Sequence, residues 1–283
     1  MAKRAIPSLR VLPESTNRGF AAGINRGLAE ATGDVVILLN PDAVPEGDAL
    51  HALATATRTH PELGLLGGVV TDPSGRIDVC CARPLPVLND ILWEGVFLPK
   101  RRTDAYRRLV RGADPEPIPV AAVSGAAIAV LRRNLDRIGF MNEQYFLYNE
   151  DIEWCECSSR AGLPVAVVPA ARFTHRQGST TRRNEAIPFA ARMLADFQFF
   201  VEFRGTAAGA VRWRWHIRQR VRQWLYGIDA LIGAPSRRSR SRARTRIYGD
   251  LAARVASLRW APANEAQSAH PDRLDALSKA GGV

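Results

Sequence analysis

A single carboxylate follows the most apolar strand-like stretch of the chain. The sequence GDVVILLNPD, residues 33–42, runs through five apolar residues and ends at Asn40, Pro41 and Asp42. Proline fixes its own φ and biases Asn40 towards an extended backbone, so the approach of the Asp42 carboxylate is restricted. One carboxylate together with substrate phosphates is a common way of holding Mg²⁺ or Mn²⁺. The three residues are also turn formers, so the tripeptide alone is equally typical of a simple turn.

Two adjacent carboxylates, Glu150 and Asp151, begin a helical pattern after the aromatic-rich stretch GFMNEQYFLYN. Neighbouring side chains on a helix diverge by about 100°, so the two acids cannot address one ligand atom and are expected to have different tasks. A helix N-terminus stabilises an ionised carboxylate, whereas nearby aromatic rings desolvate it. An ionised, partly desolvated carboxylate can act as a general base. The alternative is capping of the helix by acidic residues.

A histidine and two arginines follow the apolar run LPVAVVPAA in the sequence ARFTHRQGSTTRR. His175 could complete the coordination of a metal, and Arg182 or Arg183 could bind a diphosphate. A lone histidine in a loop is also compatible with a purely structural or solvated role. Only the combination of this segment with the two acidic ones indicates a functional site.

The elements that must position these residues divide the chain into three segments. Up to residue 183, strand-like runs alternate with helical patterns, which predicts an α/β domain with parallel strands and crossover helices. Residues 184–233 have a helical pattern in which aromatic residues and arginines alternate, and residues 234–283 form a basic segment that we expect to be partly disordered. In open α/β sheets, ligands bind beyond the carboxyl ends of the strands, and Asp42 follows such an end.

The composition restricts the class of protein further. The chain has 283 residues, a formal net charge of +11 and a sequence pI near 10.3. We expect no secretory signal after MAKRAIPSLR and no membrane-spanning segment, hence a soluble or membrane-surface protein. The cysteine spacings, Cys80-Cys81 and Cys155-x-Cys157, fit neither a usual zinc pattern nor a disulfide framework, so reduced thiols are favoured over a metal site.

Several motifs in the same order resemble those of glycosyltransferase family 2, in particular its rhamnosyltransferase-like bacterial branch. They are NRGFAAGINRGLAEATGDVVILLNPDA, VSGAAIAVLRRNLDRIGFMNEQYFLYNEDIEWCECSSRAG and PAARFTHRQGST. The resemblance implies a GT-A-like (Rossmann-like) fold, with a mostly parallel sheet flanked by helices in residues 1–183 and a basic, helical C-terminal extension. It implies a metal-dependent, inverting transfer of a sugar from a nucleotide-diphosphate donor, with Mg²⁺ or Mn²⁺ as cofactor.

The resemblance also implies roles for individual residues. NPD matches the acidic metal-binding motif, which assigns the cation to Asp42, and His175 matches a histidine that can reach the metal. NED matches the catalytic-base motif, with Asp151 as the base and Glu150 as its supporting neighbour. Residues assigned to the donor are Asn17, Gly19, Asn40, Ser124, Gly125, Arg182 and Arg183. Gly19 is equally compatible with a structural role, the relief of crowding in its turn.

The resemblance extends to substrates and location. It favours dTDP-rhamnose as donor, with UDP- and GDP-sugars as alternatives, and a cell-envelope glycan or polyprenyl-linked acceptor. Such an enzyme is expected in the cytoplasm, in peripheral contact with the cytoplasmic face of the inner membrane. The Arg- and Trp-rich sequence GAVRWRWHIRQRVRQWLYGIDALIG could lie on anionic lipid, or could pack on the α/β domain with its arginines in water.

The sequence departs from the family pattern at three places. Asn142 stands where relatives often carry an acid, and Glu153 replaces a frequent aspartate. Family members also begin with strand-helix-strand units that bear a nucleotide-binding aspartate, whereas only a short segment precedes NRGF here. We therefore expect a domain truncated at its N-terminus, and an inactive fragment is one alternative function. The other alternative functions are a non-catalytic sugar-binding subunit and a basic nucleic-acid-binding protein. No nucleic acid motif accompanies RRSRSRARTR, however, and no nucleic acid partner is expected.

Overall fold

The computed structural model of the chain describes residues 9–93, 101–112, 114–175 and 186–258. These residues form a mixed α/β unit followed by a group of C-terminal helices. Six strands make one sheet in the order β1-β5-β3-β6-β2, and β4 also pairs with β6. The strands are β1 (Val35–Leu39), β2 (Ala43–Pro45), β3 (Leu65–Thr71), β4 (Ile118–Val120), β5 (Ala127–Leu131) and β6 (Val165–His175).

The direction of the strands differs from the expectation. Only β3 and β6 pair in parallel, whereas the pairs β1-β5, β3-β5, β2-β6 and β4-β6 are antiparallel. The predicted mostly parallel sheet is therefore wrong, although the α/β class is confirmed. Alternation of strands and helices predicts parallel pairing only where a crossover helix joins neighbouring strands. Between β3 and β5 the described chain instead passes through short helices and irregular backbone, and β5 re-enters the sheet in the reverse direction.

Helices cover both faces of this sheet. They are α1 (Phe20–Glu30), α2 (Ala49–Thr59), α3 (Asp90–Trp93), α4 (Asp104–Arg111), α5 (Leu135–Ile138) and α6 (Glu150–Arg160). Strand β5 shows why the sheet needs cover on two sides, because successive side chains of a strand point to opposite faces. Ala127 and Ala129 pack in a cluster with Leu53 of α2, while Ile128 and Val130 belong to a second cluster with Trp154 of α6.

The segment LRVL, residues 9–12, is one of the strand-like runs of the sequence, but it lies outside the sheet. It forms no strand, and the first strand of the described chain is β1, which pairs with β5. Val11 is 56% exposed, and Arg10 lies beside α1, where it forms an ion pair with Glu30 at 2.8 Å. The segment therefore lies beside α1 and does not add a strand to an edge of the sheet.

The described part of the C-terminal segment is helical. Helix α7 (Ala186–Phe197) continues into a π-helical turn (Gln198–Phe203) and is followed by α8 (Ala208–Ile232) and α9 (Pro235–Ser257). Of the segment 234–283 that was expected to be partly disordered, residues 235–257 form a 23-residue helix, and residues 259–283 lie outside the described residues. Arginine is a good helix former, and packing on α8 holds the helix: the rings of Tyr226 and Tyr248 stack at 5.4 Å.

These helices are fixed to the loop that precedes α6. Tyr145 of that loop and Ile152 of α6 share a buried cluster with Phe197, Trp215 and Val255. The C-terminal helices therefore help to position the acidic residues at the start of α6. Within the described residues, no helix combines the length and the apolar character that crossing a membrane requires.

Candidate functional site

Asp42 and His175 are brought into direct contact by the pairing of β2 with β6. Asp42 lies in the turn between β1 and β2, and Ala43 at the start of β2 faces His175, the last residue of β6. His175 Nε2 and Asp42 Oδ1 are 2.9 Å apart. The turn is closed by the Ala43 N–H, which donates to the Asn40 carbonyl at 3.0 Å. Two residues separated by more than 130 positions thus form one polar pair at the end of the sheet.

The chemistry of this pair is compatible with a divalent cation. When Nε2–H donates to the Asp42 carboxylate, His175 Nδ1 carries the lone pair that metals bind. Nδ1 is buried and has no hydrogen-bond partner, and the same is true of the nearby Asn40 Oδ1. No cluster of three or more metal-ligating side chains occurs among the residues described. A cation held here would therefore need oxygen ligands from elsewhere, which is the usual situation of Mg²⁺ bound with substrate phosphates.

Asp151 points away from its own helix towards two partners. Its Oδ2 accepts a hydrogen bond from the Gly125 N–H at 2.8 Å, and its Oδ1 lies 2.7 Å from Arg83 Nη2. Burial lowers the pKa of Arg83, but the Asp151 carboxylate, together with Cys80 and Cys155, outweighs this and holds the pKa above its usual value. Arg83 Nε is buried without a hydrogen-bond partner. The side chain of Asp151 is 15% exposed, so it remains accessible on one side.

Glu150 occupies a different environment from its neighbour, as the helical geometry predicts. The residue is only 6% exposed, and its Oε2 has no hydrogen-bond partner. Burial, together with the charge of Asp151, raises the pKa of Glu150 to about 8. At neutral pH, Glu150 is therefore mostly protonated. Capping does not account for Asp151, whose carboxylate bonds outside α6.

The backbone before α6 is unusual in a way that fixes the two acids. Tyr148 and Asn149 have φ of 76° and 65°, in the left-handed region that non-glycine residues rarely adopt. Asn149 Nδ2 donates to Asp196 Oδ1 of α7 at 2.9 Å, so the C-terminal helices stabilise this conformation. The loop before α6 is also held by α1, because Asn25 forms two hydrogen bonds with the backbone of Met141, at 2.7 and 3.0 Å.

The segment of residues 124–126 connects the two polar groups. The Asn40 N–H, beside Asp42, donates to the Ala126 carbonyl at 3.0 Å, and the Gly125 N–H donates to Asp151. The Ser124 hydroxyl accepts from the Ala126 N–H at 3.3 Å and helps to shape this short turn. Asn40, two residues before Asp42, and Asp151 are therefore each hydrogen-bonded to the segment of residues 124–126.

Gly19 has a clear structural role. Its φ is 99°, and a Cβ atom there would lie 2.5 Å from the Phe146 carbonyl oxygen, so any other residue would force the backbone apart. The Asn17 side-chain oxygen accepts from the Gly19 N–H at 3.0 Å, and the Phe20 N–H donates to the Phe146 carbonyl at 2.9 Å. The NRGF turn thus packs on the loop that leads to Asp151.

Three further points concern the sequence-based assignments. Arg182 and Arg183 lie outside the described residues. All four cysteines are free, and burial raises the pKa of Cys81 and Cys155 to about 12, so both are neutral thiols. Sequence reasoning missed Arg83, the partner of Asp151, because no motif surrounds it. The backbone of Arg83 pairs with that of Ala122, and this long-range contact helps to bring the Arg83 side chain to the site.

Comparison with known proteins confirms the family resemblance. Residues 1–77 match the family Glycosyl transferase family 2. The chain is 29% identical over 245 residues to an N-acetylglucosaminyl-diphospho-decaprenol L-rhamnosyltransferase of Mycobacterium tuberculosis, covering 77% of this chain and 78% of that protein. It is 22% identical over 192 residues to the low-salt glycan biosynthesis hexosyltransferase Agl10 of Haloferax volcanii, covering 66% of this chain and 55% of that protein.

Two solved structures are similar to parts of the chain. One is GalNAc-T7 with UDP, GalNAc and Mn²⁺, with a TM-score of 0.47 and 13% identity, covering 74% of this chain and 45% of that one. The other is the mannosyltransferase PcManGT of Pyrobaculum calidifontis in complex with GDP-Man and Mn²⁺. Its TM-score is 0.45 at 15% identity, and the match covers 94% of this chain and 72% of that one.

Proposed function

The chain carries a glycosyl transferase family 2 domain, and from this premise we propose that it transfers a sugar, with inversion, from a nucleotide-diphosphate donor to a lipid-linked glycan acceptor. One observation carries the proposal beyond the family. The Asp42–His175 pair and Asp151 flank the same turn, residues 124–126. A displacement at a sugar carbon needs charge neutralisation at the leaving diphosphate and a base at the incoming hydroxyl, and this arrangement offers both.

The cation is assigned to Asp42 and His175. A bound Mg²⁺ or Mn²⁺ would neutralise charge that develops on the departing nucleoside diphosphate. Asp42 would supply a hard carboxylate oxygen, and His175, in the tautomer with its proton on Nδ1, would supply Nε2, which lies 2.9 Å from Asp42 Oδ1. The contact between the two side chains fixes their orientation before a cation arrives, which reduces the entropy lost on binding.

The base is assigned to Asp151. The Asp151 carboxylate takes the proton of an acceptor hydroxyl as the hydroxyl oxygen attacks the sugar carbon and the bond from that carbon to the phosphate oxygen breaks. A single displacement of this kind inverts the configuration. The Gly125 N–H and Arg83 hold the carboxylate in one orientation. Glu150 acts as a positioning residue, because its protonated carboxyl keeps a second charge away from Asp151.

The substrates are assigned by the same premise. The donor is dTDP-rhamnose or another nucleotide-diphosphate sugar, bound near Asn17, Gly19, Asn40, Ser124 and Gly125. The acceptor is a polyprenyl-diphosphate-linked sugar, as the name of the M. tuberculosis relative supports. The relative is 29% identical to this chain, so donor specificity is the part of the proposal that experiment must decide.

The direct test is a transfer assay with purified protein, Mn²⁺ and a polyprenyl-diphosphate-linked N-acetylglucosamine. We expect label to move to the lipid fraction from radiolabelled dTDP-rhamnose, but not from labelled UDP- or GDP-sugars at the same concentration. Transfer from a UDP- or GDP-sugar instead would replace the proposed donor. Donor binding without turnover would identify a sugar-binding subunit, and salt-dependent DNA binding without donor binding would identify a nucleic-acid-binding protein.

A peripheral contact with an anionic membrane completes the proposal. Trp213, Trp224 and Leu231 are 54%, 64% and 76% exposed and stand eleven and seven residues apart on α8. At about 100° per residue, these side chains share one face within about 20°, and the exposed Arg220 lies on it too. The opposite face buries Val211, Trp215, Gln219 and Ala230 against the protein. The buried face packs on the protein, and the exposed face is the one that we propose to contact lipid.

We expect the double variant Trp213→Ser/Trp224→Ser to cosediment with phosphatidylglycerol vesicles at least about tenfold less than the unmodified protein, because it loses shallow aromatic burial. A matched control is Val110→Ser/Phe140→Ser, which also replaces two exposed apolar residues, at sites away from α8. Equal cosedimentation of the two variants would contradict the contact. Equal binding of the unmodified protein to phosphatidylglycerol and to neutral phosphatidylcholine vesicles would also contradict it.

A further inference from the structure

A large cavity opens beside the start of α6, on the side of Asp151 that faces the C-terminal helices. Its volume is about 940 Å³, and it lies between the segment of residues 79–93, helix α4 and helices α6 to α8. Ile152 lines it next to Asp151, and Arg83, the partner of Asp151, lines it as well. Neither Asp42 nor His175 is among the residues that line it. The lining thus includes the partner and the sequence neighbour of the proposed base, but neither Asp151 itself nor the proposed metal ligands.

The charge of the lining is strongly positive. Six arginines face the cavity, namely Arg83, Arg101, Arg102, Arg107, Arg192 and Arg218, against two aspartates, Asp90 and Asp196. Two carboxylates that do not line the cavity form ion pairs with these arginines: Asp151 pairs with Arg83, and Asp104 pairs with Arg107. Even when these two carboxylates are counted, the described residues leave two positive charges in excess. Like charges gathered around one cavity repel each other, so the lining is stabilised when an anion binds there.

The positions of the arginines suit a bound anion. Arg192 Nε lies 3.5 Å from Asp196 Oδ1, and Arg101 lies 3.7 Å from Asp90, so both ion pairs are long. Arg218 donates to the Ile91 carbonyl at 2.8 Å and lies over the Trp215 ring, which fixes its guanidinium at the wall of the cavity. Planar guanidinium groups bind phosphate oxygens in a bidentate manner, and Arg101 and Arg102 at the rim are exposed.

The remaining wall of the cavity is apolar. It includes Ile91 and Trp93 of α3, Phe200 of the π-helical turn and Trp215 of α8. A cavity that joins a cluster of arginines to a wall of large apolar side chains matches an amphiphile with an anionic group next to a hydrocarbon chain. A diphosphate that bridges an isoprenoid and a sugar has this composition, with one negative charge on each phosphorus.

We propose that this cavity binds the diphosphate of the lipid-linked acceptor, so that the acceptor sugar reaches Asp151 past Arg83. This proposal rests on the proposed function, because it gives a binding site to the acceptor that was assigned there. The diphosphate lies among the arginines, and the first isoprene units lie against Ile91, Trp93, Phe200 and Trp215. The diphosphate of the nucleotide-sugar donor belongs to the other side of residues 124–126, where Asp42 and His175 lie.

The test measures binding directly and does not depend on turnover. Isothermal titration with farnesyl diphosphate, kept below the concentration at which it forms micelles, should show saturable binding, whereas farnesol should bind at least about tenfold more weakly. The double variant Arg101→Gln/Arg102→Gln removes two exposed rim charges. We expect this variant to bind farnesyl diphosphate about tenfold more weakly, and to bind dTDP with Mn²⁺ as the unmodified protein does.

A matched control separates a site from general attraction. Arg240→Gln/Arg242→Gln removes the same charge from the exposed side of α9 and should leave both affinities unchanged. Equal weakening of farnesyl diphosphate binding in both double variants would overturn the proposal, because the attraction would then be nonspecific. Equal loss of dTDP and farnesyl diphosphate binding in the rim variant would assign the cavity to the donor. If farnesyl diphosphate binds as proposed but no sugar is transferred in the assay with the polyprenyl-linked acceptor, the proposed function is refuted and the anion site is retained.

Discussion

Replacing Asp151 with asparagine should lower the rate of sugar transfer by at least about a hundredfold while leaving Mn²⁺-dependent binding of dTDP within about twofold. Asparagine has nearly the same shape and can still accept the hydrogen bond from the Gly125 N–H. It cannot accept a proton from the acceptor hydroxyl. Single-turnover transfer of labelled sugar and titration with dTDP, measured on the same preparation, check the two parts of this expectation.

The ion pair with Arg83 gives Asp151 a structural role that must be separated from a catalytic one. Asparagine would leave the Arg83 guanidinium, whose Nε already lacks a partner, without its counter-charge. Such a loss inside a protein destabilises it. The variant Arg83→Gln breaks the same pair but keeps the carboxylate. We therefore expect Arg83→Gln to show a similar decrease in melting temperature but a much smaller loss of transfer than Asp151→Asn.

Two further variants identify which of the adjacent acids is the base. Because the pKa of Glu150 is raised to about 8, its carboxyl is mostly neutral at pH 7, and glutamine reproduces that state. Glu150→Gln should therefore retain most of the activity at neutral pH. Asp136→Asn, on an exposed residue of α5, controls for the loss of one carboxylate and should be silent. A loss of transfer in Glu150→Gln as large as in Asp151→Asn would move the base to Glu150.

The residues with strong local signals were predicted from the sequence. The apolar run before Asp42 predicts β1, the pattern from Phe20 predicts α1, and the consecutive acids are placed at the first turn of a helix, α6. These signals are local, because strand and helix periodicity and turn chemistry depend on neighbouring residues. The contact between Asp42 and His175 was expected only through the resemblance, since nothing in either segment specifies the pairing of β2 with β6.

Features that depend on long-range packing were not predicted. The antiparallel direction of β5 depends on how residues 72–126 fold back, and no periodicity in that stretch specifies it. Arg83 and Asn25 are likewise inconspicuous in the sequence. Asn25 lies on an amphipathic helix where a polar residue is ordinary, yet it is buried and satisfies both the N–H and the carbonyl of Met141. Only the fold shows that it fixes the loop before the acids.

Two of the departures from the family pattern compensate for each other. Asn142 Nδ2 donates to Glu153 Oε1 at 3.1 Å, and the Tyr145 hydroxyl donates to Glu153 Oε2. Burial raises the pKa of Glu153, so a second acid at position 142 would place two carboxyl groups together in a poorly solvated position. An amide at 142 supplies a donor instead. The sequence shows both substitutions, but only the structure shows that they are in contact.

Replacing Asp42 with asparagine should weaken Mn²⁺-dependent binding of dTDP by about tenfold or more, which corresponds to about 1.4 kcal/mol. The asparagine oxygen can still accept a hydrogen bond from His175 Nε2, so the turn and the β2-β6 pairing should persist. Only the negative charge that holds the cation is removed. Titration of the variant with dTDP, in Mn²⁺ and then in EDTA, measures the metal-dependent part of the affinity without any transfer step.

A second aspartate provides the control for this measurement. Asp48 is exposed, lies six residues further along the chain and makes no side-chain capping bond to α2. Asp48→Asn should therefore match the unmodified protein in both titrations. His175→Asn should resemble Asp42→Asn, because the two side chains are assigned to one cation. If EDTA leaves dTDP binding to the unmodified protein unchanged, Asp42 and His175 form a structural pair instead, and the departing diphosphate must be neutralised by other cationic groups such as arginines.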